Sequence, residues 1–99
     1  MYKREEILNF LRENKDLLLS KYSLTKIGIF GSYAREEQTE KSDIDFILEY
    51  EEGATDLFNK NYDLREYLKS TFKKEVDICS ERAIKPMFRP YILKDAIYV

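Results

Sequence analysis

The chain has 99 residues, of which 43% are hydrophobic and 36% are charged, and we expect one compact domain over residues 1–99. It contains no histidine and one cysteine, which excludes catalytic triads, cysteine–histidine dyads, histidine zinc sites and an internal disulfide. The net charge of −2 argues against nucleic acid as the main ligand.

The start of the chain does not resemble a targeting segment. Its first ten residues, MYKREEILNF, lack the uninterrupted apolar run of a secretory signal peptide. No stretch approaches the roughly 18 apolar residues that a membrane span requires. We therefore expect a cytoplasmic protein that does not enter the membrane.

The first thirty residues predict helical structure followed by a strand. Apolar residues recur near helical spacing over residues 2–20, and Asn14 and Asp16 interrupt them, so we expect a helical hairpin or a bent helix. Leu24–Phe30 is rich in β-branched and apolar residues and predicts a buried strand.

A glycine–serine turn follows this strand. Gly31-Ser32 is expected to open a short helix over Ser32–Glu37, and the polar loop Gln38–Lys41 leads to a second strand over Asp43–Tyr50. Side chains alternate between the two faces of a strand, so Asp43 and Asp45 share one face. The opposite face is expected to be buried and carries Ile44, Phe46 and Leu48.

The second half of the chain predicts a helix, a strand, a helix and a last extended segment. We expect a cap at Thr55 or Asp56 and a helix that continues to Phe72. The apolar residues assigned to this helix are Leu57, Phe58, Leu64, Tyr67, Leu68 and Phe72. The later elements are expected at Glu75–Cys79, Pro90–Asp95 and Ala96–Val99. This order predicts an α/β (α+β) fold with a small sheet covered by helices, in an undetermined strand order.

Three acidic residues are the candidates for chemistry. Asp43 and Asp45 share a strand face, and Asp77 faces outward on a later strand. Alternate strand residues lie about 6.5 to 7 Å apart, and their carboxylates can converge on two metal ions. Hard oxygen ligands of this kind favour Mg²⁺ or Mn²⁺, which accompany nucleotide phosphates.

The glycine–serine turn is the candidate phosphate site. Gly31 allows the backbone to approach a ligand closely, the Ser32 hydroxyl is a donor, and Arg35 could contact the same triphosphate. Each feature alone is more often an ordinary turn or a solvated strand face. Together they are uncommon, because a fixed Gly-Ser-x10-Asp-x-Asp pattern arises by chance in roughly one in a thousand chains of this length.

The pattern resembles the nucleotidyltransferase superfamily of the DNA polymerase β type. The resemblance rests on Gly31-Ser32-Tyr33-Ala34-Arg35, ten intervening residues after Ser32, and Asp43-Ile44-Asp45-Phe46. The short chain, Glu75-Val76-Asp77-Ile78 and the tail from Ala83 to Val99 extend it to the minimal nucleotidyltransferase (MNT) antitoxins that act with HEPN toxins. Members of this group often have glycine after the motif arginine, whereas Glu36 stands there in this chain.

This resemblance implies a polymerase β-like fold with a small mixed sheet flanked by helices. It assigns the β and γ phosphates of ATP to Gly31 and Ser32, the metal ions to Asp43 and Asp45, and completion of the catalytic metal site to Asp77. The implied reaction transfers AMP to a tyrosine of a partner HEPN ribonuclease toxin and silences it.

Two other functions stay open from the sequence. The protein could neutralise the toxin by binding alone, although three intact carboxylates count against this. It could instead modify a small molecule, but the related enzymes that do so carry an added domain. Tyr33 is expected to pack in the core rather than stack on a ligand, Cys79 is unassigned, and Lys85 and Arg89 are expected to be ordinary exposed basic residues.

Overall fold

The computed structural model describes residues 1–99 and contains five α-helices, one short 3₁₀ helix and four strands. In chain order they are α1 (Arg4–Glu13), α2 (Lys15–Tyr22), β1 (Leu24–Phe30), α3 (Gly31–Ala34), β2 (Ile44–Tyr50), α4 (Leu57–Phe72), β3 (Val76–Ser80), the 3₁₀ helix (Glu81–Ala83), α5 (Arg89–Asp95) and β4 (Ile97–Tyr98). The break expected near Asn14 is confirmed, because this residue separates α1 from α2.

The four strands form one mixed sheet in the order β3-β2-β1-β4. The central strand β1 is antiparallel to both β2 and β4, whereas β2 and β3 are parallel. Two parallel neighbours need a crossover connection, which α4 provides. The final residues form β4, which adds to the edge of the sheet beside β1.

The hydrophobic core lies between one face of the sheet and the helices α1, α2 and α4. On the sheet, cross-strand pairs such as Ile29 with Phe46 and Ile27 with Leu48 are fully buried. The helices contribute leucines and one aromatic ring to the same cluster, including Leu8, Leu11, Leu18, Leu64, Leu68 and Phe72. Burial of this apolar surface is the main contribution to folding. No helix combines the length and the apolar character needed to cross a membrane.

Three details of the predicted elements are wrong. The short helix ends at Ala34 rather than Glu37, because the backbone turns left-handed at Glu36, where φ is 59°. Asp43 precedes β2 instead of beginning it, and β3 runs from Val76 to Ser80.

The third correction concerns the start of α4. Leu57 and Phe58 were assigned to its apolar face, but their exposed fractions are 40% and 83%. The first turn of α4 lies at the surface, and Leu64 is the first residue of this helix in the core. Asp56 occupies the cap position with φ 58°, and its side chain forms no cap hydrogen bond.

Candidate active site

The acidic residues of β2 and β3 meet on the sheet face opposite α1, α2 and α4. In the parallel register of β2 and β3, Asp45 pairs with Asp77. Asp43 lies two residues before Asp45, in the segment that leads into β2. The structure therefore brings the three carboxylates predicted from the sequence to one end of one sheet face.

The glycine–serine turn lies directly against these carboxylates. Phe30, the last residue of β1, pairs with Asp45, so Gly31 follows at the same end of the sheet. Gly31 has a φ of 72°, and a Cβ atom added to it would collide with Oδ2 of Asp45. Glycine is thus required twice at this position, by the backbone conformation and by the contact with the carboxylate.

The electrostatics of the site show how closely the carboxylates are grouped. The pKa of Asp45 is raised to about 6, mainly by burial and in addition by the negative charges of Asp77 and Asp43. A hydrogen bond with Asp77 acts in the same direction, whereas the positive charge of Arg35 opposes the shift. Neighbouring like charges of this kind favour a shared proton or a bound cation.

The carboxylate oxygens of Asp43, Asp45 and Asp77 are ligands of the type that a hard divalent cation prefers. Three carboxylates, with no sulfur or imidazole ligand nearby apart from Cys79, match Mg²⁺ or Mn²⁺. Glycine at position 31 lets the Asp45 carboxylate lie directly against the turn, in the space that a Cβ would fill. As the side chains stand, no group of three or more His, Cys, Asp or Glu residues has the arrangement of a metal site. The chemistry of the set fits the ion, and the side chains would have to adjust to surround it.

Arg35 lies beside the turn but is held by acidic partners. Its Nη1 donates to Oδ2 of Asp95 at 3.0 Å, and its Nε donates to Oε2 of Glu37 at 3.2 Å. These hydrogen bonds raise the pKa of Arg35. The phosphate contact predicted for this guanidinium would therefore compete with Asp95, which belongs to α5.

A cleft of about 440 Å³ opens between the turn and α5. Its lining residues are Phe30, Gly31, Arg35, Tyr91, Ile92, Lys94 and Asp95. The sequence predicted the turn but not the contribution of α5, because nothing local in the chain placed this helix beside β1. Lys94 supplies a basic side chain and Tyr91 an exposed aromatic ring to the cleft.

Two residues near the motif, Tyr33 and Cys79, are buried or partly buried and do not line the cleft. Tyr33 is fully buried, which agrees with the packing role expected for it and removes its ring from the cleft. Cys79 is partly buried, and burial raises the pKa of its thiol, so it stays a neutral side chain beside Asp77 on β3.

Comparison with known proteins agrees with this geometry. The nucleotidyltransferase domain family matches residues 5–99. A Methanocaldococcus jannaschii protein named provisionally as a protein adenylyltransferase is 45% identical over 95 residues, 95% of each chain. Protein adenylyltransferase MntA of Thermococcus cleftensis is 34% identical over 95 residues, 96% of this chain and 94% of that protein.

Solved structures share the fold. One, described provisionally as a minimal nucleotidyltransferase, superposes with a TM-score of 0.77 at 33% identity and covers 97% of this chain and 95% of that chain. A chain from the complex of tri-AMPylated Shewanella oneidensis HEPN toxin with MNT antitoxin superposes with a TM-score of 0.59 at 23% identity, covering 89% and 68%. The predicted polymerase β-like fold is confirmed. The chain therefore belongs to the nucleotidyltransferase family and is a relative of protein adenylyltransferase MntA.

Proposed function

We propose that this protein is an antitoxin that transfers AMP from ATP to a tyrosine of a HEPN ribonuclease toxin and thereby neutralises it. The observation that carries the proposal is the contact of the Asp45 carboxylate with the Gly31 turn, next to Asp77 in the adjacent strand. A phosphate-binding turn and a cluster of carboxylates at one point are what nucleotidyl transfer requires.

Each motif residue has a role in this proposal. The turn at Gly31 and Ser32 would hold the β and γ phosphates, with Lys94 and Arg35 as basic neighbours in the cleft. Asp43, Asp45 and Asp77 would hold Mg²⁺ or Mn²⁺, and when bound these ions would neutralise charge on the triphosphate.

The proposed reaction is one in-line substitution. The tyrosine hydroxyl oxygen forms a bond to the α-phosphorus, and the bond from that phosphorus to the bridging oxygen breaks, so pyrophosphate leaves. The hydroxyl proton passes to the Asp77 carboxylate, which is exposed on β3. The fixed turn and the paired strands hold the reacting groups in one geometry, which lowers the entropic part of the barrier.

The identity of the partner rests on the relatives. MntA is named a protein adenylyltransferase, and the MNT antitoxin of similar fold is found with a HEPN toxin that carries three AMP groups. We infer the same partner class for this chain, and repeated transfer as part of its activity. A protein acceptor also fits the cleft, which is bordered by the exposed ring of Tyr91.

Intact-mass spectrometry tests this proposal. The protein is incubated with its HEPN toxin, ATP and Mg²⁺, and AMP-sized mass increments on the toxin are expected only when metal is present. Asp43→Asn/Asp45→Asn removes ligand charge with little change in volume, and we expect it to reduce transfer by about 1000-fold or more.

The control keeps the charge change but leaves the site intact. Asp16→Asn/Asp63→Asn alters two exposed aspartates on α2 and α4, and transfer should remain at the wild-type rate. Full transfer by Asp43→Asn/Asp45→Asn would refute the site assignment. A stable complex without any mass increment would instead support neutralisation by binding alone.

A further inference from the structure

Large apolar side chains are exposed at the start of α5, beside the cleft. Met87, Phe88 and Tyr91 have exposed fractions of 69%, 52% and 73%. Phe88 caps α5 with backbone angles in the helical region, and Tyr91 follows three residues later. Side chains at this spacing are neighbours on one side of a helix, and Tyr91 lines the cleft together with Gly31. The apolar surface therefore reaches from the cleft to the first turn of α5.

Backbone hydrogen bonds fix the shape of this surface. The amides of Phe88 and Arg89 donate to the backbone oxygen of Lys85 at 2.9 and 3.1 Å, and the amide of Ile92 donates to that of Phe88 at 3.1 Å. The Arg89 side chain adds a link to the 3₁₀ helix, since its Nη1 donates to the backbone oxygen of Glu81 at 2.9 Å. A partner would thus meet a preformed surface, and its binding would cost little conformational entropy on this side.

The same segment carries an excess of positive charge. Residues 82–94 contain four basic side chains and no acidic one, although the whole chain has a net charge of −2. Lys85 and Lys94 are exposed and take part in no ion pair of the fold, and Arg89 takes part in none either. The acidic residue that follows, Asp95, is bound to Arg35. Positive charge of this kind attracts an acidic partner and repels a basic one.

The position of this surface distinguishes it from the other exposed aromatic residues. Phe58 and Tyr62 lie on α4, which covers the core face of the sheet, and no residue of α4 lines the cleft. The residues at α5 instead adjoin the cleft and combine aromatic rings, methionine and arginine, which are the residue types enriched in protein interfaces. We call the following residues the α5 surface: Lys85, Met87, Phe88 and Tyr91.

We propose that the α5 surface binds the segment of the acceptor protein that carries the modified tyrosine, and that this segment is apolar with acidic residues close to the tyrosine. The inference rests on the proposed function and adds to it how the acceptor is recognised. Met87 and Phe88 pack against apolar side chains of the segment, and Lys85 attracts its carboxylates. Tyr91 holds the segment beside the cleft, where the tyrosine hydroxyl meets the nucleotide.

Two measurements test this proposal on the whole protein and its HEPN toxin. Isothermal titration calorimetry without ATP or metal gives the Kd of the complex, and the mass assay gives kcat and KM for transfer. In Met87→Ala/Phe88→Ala we expect the Kd and the KM for the toxin to rise about tenfold or more, because two exposed apolar contacts are lost. The KM for ATP should stay unchanged, since neither residue lines the cleft.

Matched variants control for the loss of apolar surface and of charge. Phe58→Ala/Tyr62→Ala removes two exposed rings from α4 and should bind the toxin as the wild-type protein does. Lys85→Glu should weaken binding about tenfold at low salt and less as the ionic strength rises, whereas Lys21→Glu, at an exposed position of α2, should have no effect. Lys85→Glu also decides the test if the double alanine variant at α5 does not fold.

Four other results would reject the inference. Wild-type binding by both α5 variants would exclude the α5 surface, and weaker binding by Phe58→Ala/Tyr62→Ala alone would assign docking to α4. A raised KM for ATP would place the α5 residues in the nucleotide site, and a wild-type dimer that Met87→Ala/Phe88→Ala dissociates would make a second copy of this chain the occupant. Weakened toxin binding by the α5 variants, without AMP transfer by the wild-type protein, would instead reject the proposed function and keep the α5 surface as a docking site.

Discussion

At the scale of single residues, the site depends on a glycine that carries two constraints. Gly31 adopts a left-handed backbone conformation. It also lies so close to Oδ2 of Asp45 that a Cβ atom would collide with this oxygen. A side chain there would strain the turn and displace the carboxylate at the same time. The turn proposed to bind phosphate and the carboxylate proposed to bind metal are thus coupled, because position 31 has no side chain.

Gly31→Ala should therefore impair both stability and activity. We expect a loss of about 1–2 kcal/mol in the free energy of unfolding from the backbone conformation, and a decrease of about tenfold or more in AMP transfer from the displaced Asp45. Gly53→Ala is the control, because Gly53 also has positive φ, 81°, but an added Cβ would meet nothing within 4 Å.

Urea unfolding and the mass assay measure the two effects separately. Gly53→Ala should be destabilised by a similar amount while it transfers AMP normally. Equal transfer rates for the two alanine variants would show that the contact between Gly31 and Asp45 does not contribute to catalysis.

At the scale of secondary-structure elements, β4 depends on a second glycine. Gly28 in β1 pairs with Tyr98, and a Cβ added to Gly28 would collide with the backbone oxygen of Ile97 and approach Cα of Tyr98 to 2.7 Å. The two-residue strand β4 can approach β1 only because this position has no side chain. Beyond β4, the amide of Val99 donates to the backbone oxygen of Ile27 at 3.0 Å.

Gly28→Ala should weaken the pairing of the edge strand β4 with β1. The added methyl group cannot be accommodated without backbone movement, so we expect a loss of about 1–3 kcal/mol in stability and faster hydrogen exchange at the Val99 amide. Amides of the ladder between β1 and β2 are the internal control, since that pairing lies on the other side of β1. Unchanged protection at Val99 would show that β4 does not need the close approach.

At the scale of the whole molecule, the two faces of the sheet differ in composition: one is apolar and the other carries charged residues. One face is covered by α1, α2 and α4 and holds the apolar core. The other face carries Asp45 and Asp77 at one end and a charged network at the opposite end. In this network Glu81, in the 3₁₀ helix after β3, contacts Lys26 of β1 and Tyr98 of β4. One carboxylate thus links β1 and β4, which are distant in sequence.

This network should make stability depend on pH. Hydrogen bonds from Lys26 and Tyr98 hold the pKa of Glu81 below its usual value, with a smaller contribution from the positive charge of Arg89. Ionised Glu81 therefore stabilises the fold above the unfolded pKa of about 4.3, and this contribution is lost as the pH falls through the lower folded pKa.

Glu81→Gln tests the sign of this effect. The variant should be less stable than the wild-type protein at pH 7, and the difference in the free energy of unfolding should shrink below about pH 4. Glu66→Gln, on the exposed side of α4, controls for the loss of one negative charge. A pH-independent difference between Glu81→Gln and the wild-type protein would contradict the role assigned to this carboxylate.

The candidate site was predictable because its signals are local. The spacing Asp43-x-Asp45 keeps these two carboxylates close together at the start of β2, and Gly31-Ser32 marks a turn by composition alone. The β-branched and apolar composition of Leu24–Phe30 predicted β1 with its correct bounds. The helical spacing of apolar residues failed at Leu57 and Phe58, because apolar character alone does not reveal which turns of a helix the rest of the fold covers.

By itself, the sequence determined the order and type of the elements, the turn and the three carboxylates, since these follow from side-chain chemistry and from backbone periodicity within short segments. Only the tertiary structure decided the strand order β3-β2-β1-β4, the pairing of Asp45 with Asp77 and the hydrogen bond from Arg35 to Asp95. These contacts join residues 15 or more positions apart in the printed sequence, from Phe30 with Asp45 upward. Such pairings depend on how the whole chain buries its apolar surface, which no short segment can specify.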